Sequence, residues 1–138
     1  MTWVLDASAA LAWAFERADA AEANVARARL DRLAETEALV PELWHLEVTN
    51  ALIVAHRREA ISTARVHQFL SHLAALPIRT HPATFADRRE RLFDLAREHG
   101  LSAYDATYLD LALQTGGALA TFDRRLALAA GRAGITAA

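Results

Sequence analysis

The chain has 138 residues, 54% hydrophobic and 23% charged, the make-up of one ordinary globular domain with enough length to bury a core. Its net charge of −2 supplies no basic footprint for nucleic acid, so any such binding must come from local arginines or from metal ions. There is no cysteine and therefore no disulfide or thiolate chemistry, and all 15 basic residues are Arg, which removes P-loop and Schiff-base lysines.

In chain order, "TWVLD" (Thr2 to Asp6) is a short apolar run ending on a carboxylate and followed by Ala-rich helix formers, which predicts a buried strand feeding a helix. A second helix is expected from Asp19 to about Glu37. "ALVP" (Ala38 to Pro41) reads as a brief strand, and Pro41 suits the start of the long helix "PELWHLEVTNALIVAHRREA". Ser62 is placed to cap "STARVHQFLSHLAAL". "PIRTH" (Pro77 to His81) is expected at a sheet edge, and "TFADRRERLFDLAREHG" as a helix closing on His99 and Gly100. The last unit runs from a helix at Ala103 to Thr115, through Gly116-Gly117, along a strand from Ala118 to Asp123, into "RRLALAAGRAG". No apolar run approaches the roughly 18 to 20 residues of a membrane span, and the opening residues lack a basic n-region, so a cytoplasmic protein is expected. Strands alternating with helices predict an α/β domain with a parallel sheet of four to five short strands and helices on both faces.

Parallel sheets bind ligands at the carboxyl ends of their strands. Asp6 ends the first expected strand and Asp123 the last. A helix of Ala103 to Thr115 is about 18 to 20 Å long and the returning strand covers nearly the same distance, so Asp105 and Asp123 come back to one level. Each acid also has a plainer role open to it. Ser102 and Asp105 fit a capping box, and Asp6 and Asp123 precede helical sequence and suit N-caps. Glu47 lies in a helix apolar on nearly every side, which argues for a place in an internal cleft; the alternative is an exposed stripe shared with Asn50 and His45. Unit charges 4 Å apart repel by about 4 kcal/mol at an effective dielectric of 20, and a divalent cation relieves a whole set of them. Carboxylate oxygens without Cys select Mg²⁺ or Mn²⁺, whose remaining ligands are water and phosphate oxygens, which points to metal-assisted phosphodiester hydrolysis. Such a cluster should hold at least one carboxyl above its ordinary pKa.

"VLDASA", "VPELWHLEVTNAL", "LSAYDATYLDLA" and "LATFDRRL", in this order and across the whole chain, resemble the PIN-domain ribonucleases, specifically the VapC-type toxins of bacterial toxin–antitoxin pairs. The resemblance implies a three-layer PIN fold over a single domain, 1–138, and a Mg²⁺- or Mn²⁺-dependent endoribonuclease. It implies Asp6, Glu47, Asp105 and Asp123 as the metal-binding and catalytic acids, with Ser8, Asn50 and Thr121 as polar support around them. It also implies a homodimer silenced by a cognate VapB-type antitoxin. Arg124 and Arg125, beside Asp123, are candidates for guiding RNA, and Trp13 and Phe15 for stacking on bases or gripping the antitoxin, the plainer alternative for both aromatics being core packing. Asp110, five residues beyond Asp105, falls on another side of its helix and is left out. Two rivals remain: a haloacid-dehalogenase-type phosphatase, which wants an acid two residues after its first aspartate and a lysine, and a catalytically silent PIN-like interaction module.

Overall fold

The structure is a computed structural model that describes residues 2–138. Its elements run β1 (Thr2–Leu5), α1 (Ala7–Leu11), α2 (Ala20–Arg32), β2 (Glu37–Val40), α3 (Glu42–Arg57), α4 (Thr63–Ala75), β3 (Ile78–Thr80), α5 (Arg89–His99), α6 (Ala103–Thr115), β4 (Ala118–Ala120) and α7 (Arg124–Arg132). The four strands pair in parallel in the order β3-β2-β1-β4. Successive residues of a strand point to opposite faces, and Trp3, Val4 and Leu5 are all fully buried, so β1 is covered by helices on both sides. The expected α/β architecture is thus the observed one, with four strands.

Strand order places the site. The chain builds outward from β1 to β2 and β3, then returns to lay β4 on the other flank of β1. The crevice between the carboxyl ends of β1 and β4 is the switch point, the place where an open parallel sheet leaves room for a ligand. Leu5 pairs with Ala120, and the Asp6 N–H donates to the Ala120 carbonyl at 3.0 Å, so Asp6 and Thr121 leave the sheet side by side.

The turn that sends α6 back into β4 depends on its two glycines. Gly116 caps α6 in the left-handed region (φ 65°), and a Cβ at Gly117 would stand 3.0 Å from the main-chain oxygen of Thr2. Several boundaries differ from the sequence reading, and three of them bear on packing or on the site. α2 stops at Arg32 instead of running toward Glu37. α5 starts at Arg89 instead of Thr84, because Thr84 donates to Asp87 within a turn (2.6 Å) and Arg88 is drawn to Asp110. β4 ends at Ala120, because the N–H groups of Phe122 and Asp123 bond to side-chain hydroxyls instead of a neighbouring strand.

Candidate metal-binding acidic site

Asp6 stands at the cap position of α1, yet its carboxylate makes no cap bond there and turns to side chains instead. Oδ2 accepts from Ser8 Oγ at 2.6 Å and from Thr121 Oγ1 at 2.7 Å. Each hydroxyl accepts in turn from the loop after β4: Ser8 from the Phe122 N–H and Thr121 from the Asp123 N–H, both at 2.9 Å. Both hydroxyl protons are therefore committed to Asp6, and the carboxylate ties the end of β1 to the loop after β4. Asp6 is only 5% exposed, and burial pushes its pKa up, against the two hydroxyls that pull it down.

Asp105 lies in the first turn of α6. Ser102 Oγ accepts from the Asp105 N–H (3.1 Å), but the return bond of a capping box is missing among the described residues, which leaves the carboxyl facing the crevice. Burial first, then the charges of Asp123 and Asp6, push its pKa up to about 6, and Arg125 opposes them from the first turn of α7. Asp123 does act as a cap: Oδ1 accepts from the Leu126 N–H at 2.8 Å and starts α7. Its charge still reaches Asp6 and Asp105.

Glu47 comes from α3, and the reason for its half-buried state differs from the one read in sequence. α3 is not buried all round. Trp44, Val48 and Leu52 form its inner stripe, while Leu46 is 71% exposed and Ile53 and Val54 also meet solvent. Glu47 is held from outside its own helix, with Oε1 accepting from the hydroxyl of the fully buried Tyr108 on α6. Burial raises the Glu47 pKa, the Tyr108 bond lowers it, and the charges of Asp6 and Asp105 raise it further. Burial and this bond also hold the Tyr108 phenol far above its ordinary pKa, so it stays a donor.

The structure therefore sets Asp6, Glu47, Asp105 and Asp123 in one electrostatic field, with Ser8 and Thr121 bonded directly to Asp6. Asn50 is exposed and makes no hydrogen bond among the described residues, so the geometry does not bring it into the group. Arg124 is exposed in the first turn of α7 beside Arg125. Asp110 belongs elsewhere. Buried, it is gripped by Arg88 (Nε to Oδ2 2.9 Å, with a second bond from Nη2 to Oδ1) and by Gln114 Nε2 at 2.9 Å, an ion pair that pins α6 to the start of α5.

Two contributors escaped the sequence reading. Tyr108 carried a signal, since it stands three residues after Asp105 and hence on a neighbouring part of the same helix face. Arg29 carried none, sitting in the evenly charged run of α2. It is buried, donates through Nη2 to the Thr121 main-chain oxygen (3.2 Å) and stacks over Phe122 (4.7 Å), whose ring Arg17 also covers (4.5 Å). It thus steadies the loop that presents Thr121 and Asp123. Burial lowers its pKa, and the charge of Asp6 opposes that fall.

Comparison with known proteins identifies the family and the fold. A PIN-domain family model matches residues 3–132. The chain belongs to the PIN-domain family. It is 34% identical over 129 residues to "Ribonuclease VapC3" of Pyrobaculum aerophilum, a match that covers 92% of this chain and 93% of that one. The crystal structure of PAE2754 from Pyrobaculum aerophilum shares the fold, with a TM-score of 0.68 at 24% identity over 94% of this chain and 87% of that one.

This PIN domain offers a cation only oxygen donors, and three of its acids carry raised pKa values that a positive charge would relieve. The acids are nonetheless spread more widely than a set crowded onto one ion: among the described residues, no three acidic or histidine side chains stand close enough to grip an ion together. The cause is local. One oxygen each of Asp6, Glu47 and Asp123 is already engaged, by hydroxyls, by Tyr108 and by a helix N-terminus. Such a site suits a hard cation that takes one or two carboxylates and keeps several waters, the habit of Mg²⁺.

Proposed function

We propose that this PIN domain is a Mg²⁺- or Mn²⁺-dependent endoribonuclease and the toxin of a type II toxin–antitoxin pair. The observation that carries the reading is the acid field at the β1–β4 switch point, in which Asp6, Glu47 and Asp105 all hold raised pKa values and Asp123 adds its charge. The similarity to a protein named a ribonuclease supports the substrate class. Bound divalent metal supplies a more acidic water and offsets negative charge on the scissile phosphodiester.

The chain's own residues do the rest. Asp6 and Asp105 would hold the metal, with Glu47 and Asp123 completing the negative field around it. Ser8 and Thr121 lock the Asp6 rotamer, which fixes where an ion and its waters sit. Arg125, whose charge already reaches Asp105, and Arg124 beside it would receive the phosphates flanking the cut. In the hydrolysis, water oxygen bonds to phosphorus, one ester P–O bond breaks, and the proton lost by the water ends on the leaving oxygen.

Apolar surface supports the partners. A groove of about 660 Å³ between α2 and α4, lined by Trp13, Leu30, Phe69, Leu73 and Leu76, fits an apolar segment of the antitoxin. The exposed Leu46, Ile53 and Val54 of α3 favour pairing with a second copy. The phosphatase rival loses support from Ser8, which stands where that chemistry needs an acid and is spent on Asp6.

The test is cleavage of RNA by purified chain freed of other proteins, with 5′ ends mapped after addition of Mg²⁺ or Mn²⁺. Cutting that vanishes with chelator and with Asp6→Asn supports the proposal. Undiminished cutting in excess EDTA refutes the metal role, and metal binding with no cleavage of any RNA favours a silent interaction module.

A further inference from the structure

The acids of the crevice reach it from different parts of the fold. Asp6 and Asp123 leave the ends of adjacent strands, and Asp105 starts the helix that packs on β1 and β4. Glu47 alone stands on α3, which packs on α1. Its side chain is long and half-exposed, and Asp6 and Asp105 both repel it. Nothing in its own helix holds such a carboxylate toward the other acids, since rotamer freedom and repulsion both favour swinging out to solvent. What opposes them is one charge-assisted hydrogen bond, from Tyr108 Oη to Oε1. The donor cannot accompany Glu47 outward. Its ring is fully buried on α6, one turn after Asp105.

We infer that Tyr108 is a positioning residue, whose hydroxyl anchors one oxygen of Glu47 against the repulsion of the other acids and keeps the Glu47 charge in the negative field around the metal. This rests on the metal-dependent reading above and adds the device that makes α3 part of the site. A plainer account treats Tyr108 as a core tyrosine whose hydroxyl needs some partner. Removal of the hydroxyl alone separates the two. A core role costs stability and leaves cation binding as it was, whereas a positioning role costs cation binding, and only while Glu47 is a carboxylate.

The experiment is Mn²⁺ titration of RNA-free protein by paramagnetic resonance, on wild type, Tyr108→Phe, Glu47→Gln and the double variant, with folding monitored by circular dichroism. The expected result is a folded Tyr108→Phe protein whose Mn²⁺ affinity is about 10-fold or more weaker. The same substitution should then cause no further loss in the Glu47→Gln background. Wild-type affinity in folded Tyr108→Phe overturns the inference while the metal reading stands. A wild type that binds no Mn²⁺ overturns both. A second measurement needs no variant. The ring resonances of Tyr108 should shift saturably as Mg²⁺ is added, and resonances unmoved at saturation also overturn the role.

Discussion

Asp6 concentrates the residue-scale physics of the site. A carboxylate this buried persists as an anion only with donors at hand, and Ser8 and Thr121 provide two on one oxygen. Changing both to Ala removes those donors and frees the Asp6 rotamer. We expect Mn²⁺ affinity and RNA cleavage to fall together by about 10- to 100-fold while the circular dichroism spectrum is kept. Asp105 gives a pH prediction whose sign is fixed by the direction of its shift. Its folded pKa of about 6 lies above the ordinary 3.8, so the native state binds more protons than the unfolded chain between those values. The contribution of Asp105 to metal-free stability is full below the lower value and is lost as pH rises through about 6. The raised pKa values of Asp6 and Glu47 act in the same direction. Thermal melts in EDTA should therefore show Asp105→Asn more stable than wild type at pH 7 and the two converging at pH 4. A wild type that gains on Asp105→Asn as pH rises would contradict the raised pKa. Asp6, Asp105 and Asp123 were legible in the sequence because each follows an apolar strand run or opens a helix, whereas Glu47 was singled out for a helix apolar all round, which α3 is not. Tyr108 and Arg29 were less legible, because a buried hydroxyl or guanidinium is defined by its partner, and the partners stand 61 and 92 residues away.

Among the elements, α6 does the most positioning. It carries Asp105 and Tyr108 into the crevice at one end and is pinned to α5 by Asp110 at its middle. Arg88→Ala would leave the Asp110 carboxylate buried with its main cation gone, a loss of about 3 kcal/mol in urea unfolding. Cleavage per folded molecule should change little, since neither residue faces the acid site. Gly117→Ala brings a Cβ within 3.0 Å of the Thr2 main-chain oxygen and must push β4 from β1, so we expect a lower melting temperature and weaker metal binding together. Both glycines announced this turn in the sequence. The start of α5 and the end of β4 were misjudged for one reason: side chains from elsewhere, Asp110 in the first case and Ser8 in the second, compete for groups that local propensity assigns to helix or strand.

For the molecule as a whole, metal and partners should each leave a thermodynamic mark. Mg²⁺ should raise the melting temperature more at pH 7 than at pH 5, because the acids it stabilises are charged only above their raised pKa values; an equal rise at both would argue against binding in this field. Pairing through α3 should give two copies in light scattering, with Ile53→Asp giving one. The α/β class, the strand-end acids, the glycine turn and the absence of thiolate donors could all be read from the chain alone, because each rests on short-range pattern or on residue chemistry. Long-range packing was needed to show that β4 returns to the flank of β1, that Glu47 is held by a tyrosine from another helix, and that the acids share a field without closing on one point. Those outcomes depend on strand order and on hydrogen bonds between residues far apart in the chain, and neither is encoded in any local run of amino acids.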